Sequence, residues 1–91
     1  MWKETLYSNM EIFDNDERRE FYDILMSNYN NLLEKKDVDT AHKLKSNCLQ
    51  LGITPIASIA ECIESNGKFD NYKQELSHLI NQIKTENLFN L

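Results

Sequence analysis

Only three residues in this chain break helices readily: Gly52, Pro55 and Gly67. A chain of 91 residues with two glycines and one proline lacks the turn residues that a many-stranded fold needs. Helix is therefore the default, and the spacing of the apolar residues agrees with it. Trp2, Leu6 and Met10 recur every four residues and lay one stripe along a short N-terminal helix. So few turns do not stand alone in water, so Trp2 is expected to anchor this helix on the rest. Asp14 followed by Glu17 signals the next helix start, with a side-chain acceptor at the N-cap and acids in the first turn. From there Phe21, Tyr22, Ile24, Leu25, Tyr29, Leu32 and Leu33 give a wide apolar face running to about Lys36. Lys35 and Lys36 suit the negative end of that helix dipole.

Asp37 to Asp39 form a turn, and either aspartate can cap a third helix. This helix stops at Gly52, which readily takes a left-handed C-cap conformation and so has a structural role. Thr54 and Pro55 restart the chain, Thr54 read as N-cap and Pro55 as first helical residue. Ile56, Ile59, Ala60 and Ile63 then follow at helical spacing until Gly67. Asp70 is a plausible cap for a last helix carrying Tyr72, Leu76, Leu79, Ile80 and Ile83. The tail Leu88 to Leu91 is apolar enough to pack, although its terminal position favours fraying. The expected helices span roughly residues 2–9, 15–36, 38–51, 55–66 and 71–87. Short connections between long helices favour antiparallel neighbours. The expected fold is therefore one all-α domain, an antiparallel up-down four-helix bundle with the short first helix across one end.

Hydrophobic residues make up 41% and charged residues 27%, an ordinary globular balance. A net charge of −5 argues against nonspecific nucleic-acid binding, which requires a cationic surface. Cys48 and Cys62 both read as lying on apolar faces, as reduced core cysteines of a cytosolic protein. No run of 18 apolar residues exists, so nothing in the chain is expected to span or touch a membrane directly.

The third helix carries the chemistry. At about 100° per residue, Ala41, Leu44, Cys48 and Leu51 gather on one arc and His42 falls roughly opposite. Beside His42 on that outer face come Lys45, Ser46 and Leu49, with Val38 and Asp39 one turn earlier. A histidine on a solvated face is usually incidental; the i+3 lysine and i+4 small residue give this one weight. Neutral imidazole is an abundant nucleophile near pH 7. Lys45 discourages ring protonation and offers charge to an anionic group, and a small residue at position 46 leaves room beside the ring. The Ser46 hydroxyl can either donate to that group or bond back to the His42 carbonyl. Val38 and Leu49 are either covered by a neighbouring helix or form an apolar docking patch.

The run Ala41, His42, Leu44, Lys45, Leu51 and Gly52 resembles the signature of histidine phosphotransfer (HPt) domains, A-H-x-L-K-G followed by an apolar residue and glycine. Ser46 stands where the family most often has Gly, and Ile56, Ala57, Ile63 and Glu64 continue the family's usual run. The resemblance implies a phosphoryl carrier of a multistep two-component phosphorelay. His42 is then the phosphoacceptor, Lys45 its electrostatic support and Ser46 the small neighbour, while Val38, Asp39 and Leu49 meet the partner. The implied partners are response-regulator receiver domains, which supply the phospho-aspartate and Mg²⁺. This domain binds no cofactor or metal of its own and has no ATP-binding loop. The resemblance further implies a cytoplasmic monomer, free or at the cytosolic end of a membrane-bound hybrid sensor histidine kinase. The rival reading is a noncatalytic helical module that docks receivers or other signalling proteins. A zinc set of His42, His78, Cys48 and Cys62 is disfavoured because their spacings match no local ligand pair. His78 reads as a surface or boundary residue.

Overall fold

In a computed structural model describing residues 1–91, the chain is all-helical. Five α-helices follow in order: α1 Trp2–Met10, α2 Asn15–Lys35, α3 Val38–Leu51, α4 Thr54–Asn66 and α5 Lys73–Thr85. A single 3₁₀ turn, Phe69–Asn71, precedes α5. The radius of gyration is 12.6 Å, close to the ~12 Å of a compact chain of this length.

Local chemistry sets most helix ends. Asp14 and Glu17 form a reciprocal capping box: Asp14 Oδ1 accepts from the Glu17 amide at 2.9 Å, and Glu17 Oε1 accepts from the Asp14 amide at 3.1 Å. The chain leaves α2 through Lys36 in the left-handed region, φ 54°, with its amide donating to the Leu32 carbonyl. Asp37, rather than Asp39, caps α3: its Oδ1 accepts from the Thr40 amide at 2.9 Å and the Thr40 hydroxyl at 2.7 Å. These bonds satisfy Thr40, the one buried polar residue, and hold the Asp37 carboxyl below its ordinary value. Gly52 ends α3 at φ 79°, where a Cβ is strained, and the Gly52 and Ile53 amides donate to the last carbonyls of the helix.

Two expected helix starts are corrected. Thr54 is the first residue of α4 rather than its cap, and Ile53 takes the cap position with no side-chain acceptor. Pro55 still falls within the first turn, where its missing N–H leaves nothing unpaired. Asp70 does not cap α5, because residues 69–71 close a 3₁₀ turn and bury Phe69 before the helix begins at Lys73.

Twenty-one buried apolar residues form one core. Ala41, Leu44, Cys48 and Leu51 from α3 all lie in it, beside Ile56, Ala60 and Ile63 from α4. Helix α3 packs most extensively on α4 and next on α2. Trp2 packs half-buried against the core, as an anchor should. The apolar tail packs rather than frays. Leu88 and Phe89 are buried, and Phe89 meets Tyr22 edge-on at 5.5 Å. Arg18 Nε donates to the Met10 carbonyl at 2.7 Å and its Nη1 to the Asn90 carbonyl at 2.9 Å, tying the end of α1 to the tail. Lys3 adds an ion pair to Glu86 at 2.8 Å.

Two further expectations fail. Cys62 is exposed: on α4 it falls about 60° beyond Ile59, at the edge of the buried arc. Ile24 stands out from α2, half in water, although it fits the apolar period of that helix.

Candidate functional site

The site forms where α3 and α4 lie side by side. Ala41, Ala57 and Ala60 are buried with only a methyl each, which lets the two helices approach closely. On the α4 wheel Glu64 falls between Ala57 and Ala60, within the arc that meets α3. A carboxylate there requires a partner, and α3 supplies two.

Both Glu64 oxygens lie 3.2 Å from His42 Nδ1, and Glu64 Oε2 lies 3.0 Å from Lys45 Nζ. The side chains of Lys45 and Glu64 are only 21% and 25% exposed, whereas His42 is 58% exposed, so a shielded ion pair underlies an open imidazole. The hydrogen bond from Lys45, with a smaller contribution from His42, holds the Glu64 carboxyl below its ordinary value despite partial burial. Glu64 is therefore an anion at neutral pH.

This arrangement fixes the imidazole tautomer. A carboxylate only accepts hydrogen bonds, so Nδ1 carries the proton and donates. The neutral ring then has its lone pair on Nε2, which makes no hydrogen bond within the chain and belongs to the exposed side of the residue. The charged acceptor orients the ring. When Nε2 forms a new bond, the ring becomes cationic with Nδ1–H retained, and Glu64 is already in place as counter-ion.

The residues expected beside His42 are found there with one redistribution. Ser46 is exposed, and its hydroxyl does not bond back to the His42 carbonyl, in contrast to Thr5 and Thr85, which bond back to Met1 and Asn81. The space over the imidazole therefore stays open. Val38 and Leu49, 50% and 59% exposed, are covered by neither α1 nor α2, and Asp39 is exposed with them. Lys45 is on the expected helix, but its ammonium is engaged by Glu64 rather than free beside the ring. Glu64 is the site residue that sequence reasoning missed, although it was read as part of the motif's continuation. Its signal was a charge on the buried arc of α4.

Beyond this cluster, a groove of about 210 Å³ opens between the helices, with Lys45 and Leu49 on one wall and Ser58 and Glu61 on the other. A more apolar hollow of about 390 Å³ lies on the α2 side of α3, bounded by Met10, Ile12, Phe21, Ile24 and Leu51. Burial pushes the Cys48 thiol up to about 12, which leaves it inert. His78 is exposed on α5 without a hydrogen-bond or ion-pair partner, and no three His, Cys, Asp or Glu side chains form a group able to hold a metal ion. No helix is long and apolar enough to cross a membrane. No protein-family model matches the chain, and no curated protein or solved structure matches it either.

Proposed function

We propose that this chain is a phosphoryl carrier of the histidine phosphotransfer kind, with Nε2 of His42 as the acceptor atom. The observation that carries the reading is the contact of His42 Nδ1 with Glu64, which leaves the other ring nitrogen without a partner in an exposed residue. Nε2 attacks the phosphorus of an aspartyl phosphate on a receiver domain. The N–P bond forms as the P–O bond to the aspartate breaks, and the receiver's carboxylate leaves with its electron pair. The product ring is an imidazolium that keeps its Nδ1 proton against Glu64. Transfer to a second receiver reverses these steps.

Mg²⁺ belongs to the receiver, where it steadies the phosphoryl oxygens. His42 is the nucleophile, Glu64 a positioning residue acting through the ring, and Ser46 leaves clearance. Val38, Asp39 and Leu49 border the imidazole and meet the partner, a modest apolar patch suited to an interface that forms and releases repeatedly. The matching arrangement of the chain is an antiparallel up-down four-helix bundle with α1 across one end. It acts as a monomer in the cytoplasm, free or as the cytosolic end of a sensor kinase.

The test mixes the protein with a panel of phosphorylated receivers and Mg²⁺ and follows the label. Acid-labile, base-stable label that disappears in His42→Gln supports the carrier. A second reading, a docking module without phosphotransfer, is favoured by the bare Val38 and Leu49. It requires receiver binding that survives His42→Gln and no label from any receiver.

A further inference from the structure

Lys45 has one ammonium group and, once His42 is loaded, two anions within reach of its flexible stem. In the free protein that ammonium lies 3.0 Å from Glu64 Oε2, while Glu64 also holds Nδ1, the ring nitrogen opposite the acceptor atom. We propose that Lys45 changes partners with the state of His42, pairing with Glu64 when the histidine is free and with the phosphoryl oxygens when it is loaded. The proposal rests on His42 as phosphoryl acceptor and goes beyond it by giving the carrier two distinct charge arrangements.

Charge balance drives the exchange. Before loading, Glu64 has Lys45 as its ionic partner. After loading at Nε2 the ring is a cation against Glu64, so the carboxylate no longer depends on the lysine. A phosphoryl group with about two negative charges appears on the far edge of the ring. An ammonium with three donors on four methylenes follows the larger charge. The free state thus holds one ion pair, and the loaded state holds two: imidazolium with Glu64, and Lys45 with phosphoryl. Glu61, the other acid beside Lys45 across the groove, stays bound to neither. The direct tie between Lys45 on α3 and Glu64 on α4 is released on loading, so a partner touching both helices meets a different surface in each state.

The test needs no receiver. Phosphoramidate loads accessible imidazoles directly: Nε2 attacks phosphorus, the bond to the amine nitrogen breaks and ammonia leaves. The whole chain with His78→Gln restricts loading to His42. Near neutral pH and soon after loading, while the loaded ring keeps its Nδ1 proton, the carbon-13 resonance of the Glu64 carboxylate is recorded with Lys45 and with Lys45→Met, free and loaded. Removing Lys45 is expected to move the Glu64 resonance in the free form and to move it by less than about half as much in the loaded form, with the phosphorus resonance now sensitive to Lys45. Lys45→Gln repeats the cycle and separates lost charge from lost packing of the stem. An equal effect of Lys45 on Glu64 in both forms overturns the proposal, as does failure of His42 to load. Loading by phosphoramidate with no transfer from any receiver removes the carrier reading while leaving the exchange of partners measurable.

Discussion

The two faces of α3 differ in how they use their residues. On the inner face Ala41, Leu44 and Cys48 are completely buried, and their worth lies in fitting. On the outer face His42, Ser46 and Leu49 stand in water, and their worth lies in what they leave open. The boundary between the faces is occupied by Lys45, whose ammonium reaches Glu64 on the next helix. His78, also exposed but unpartnered, has nothing to fix its tautomer. What separates the two histidines is the shielded anion behind His42.

The largest effect expected on either face is His42→Gln, which abolishes base-stable label from phosphorylated receivers and leaves thermal unfolding nearly unchanged, while His78→Gln leaves both intact. Next comes Leu44→Ala on the inner face, which costs about 2–5 kcal/mol in denaturant unfolding because it opens a cavity where nothing else fills in. Glu64→Gln removes the anionic acceptor while keeping the shape, and is expected to slow phosphoryl acceptance by roughly ten- to a hundredfold in single-turnover measurements. Under the same conditions Glu75→Gln, on the helix of His78, changes nothing measurable.

Smaller effects sharpen the contrast. Leu49→Ala weakens receiver binding a few-fold in titration calorimetry while changing stability by less than about 0.5 kcal/mol, as suits a residue that is 59% exposed in the free chain. Acid is the mildest probe. Glu64 and Asp37 have folded pKa values below their ordinary 4.5 and 3.8. Their contributions to stability are complete above those ordinary values and are lost as the pH falls through the lowered ones. Unfolding midpoints of the wild type should therefore drop below pH 4.5, and Glu64→Gln should flatten the upper part of that decline.

Much of this was legible in the sequence because a helix repeats every 3.6 residues and so few residues interrupt it. The inner face of α3, the Asp14 start, the Gly52 stop and the outward His42 all follow from period and capping alone. The failures lie where packing overrides local residue type. Cys62 looks apolar by type, but its angle on α4 leaves it beyond the last packed residue. The tail reads as apolar enough to pack, but the residue that holds its end, Arg18 on the Asn90 carbonyl, lies 72 residues away. Thr54 and Asp70 carry good capping side chains, but Ile53 is drawn into the core and Phe69 closes a 3₁₀ turn, which shifts both starts. Glu64 was visible as an acid on a buried arc, but its partners became apparent only when α3 and α4 were brought together.

The most direct test is to observe the phosphorus itself. The protein, labelled with nitrogen-15 in its imidazoles, is incubated with a phosphorylated receiver and Mg²⁺ and then studied by phosphorus and nitrogen NMR at alkaline pH. The expected result is one phosphohistidine, at His42, with phosphorus bonded to Nε2. Phosphorus on Nδ1, or no phosphohistidine with any receiver of the panel, would contradict the assignment of His42 as a carrier held by Glu64.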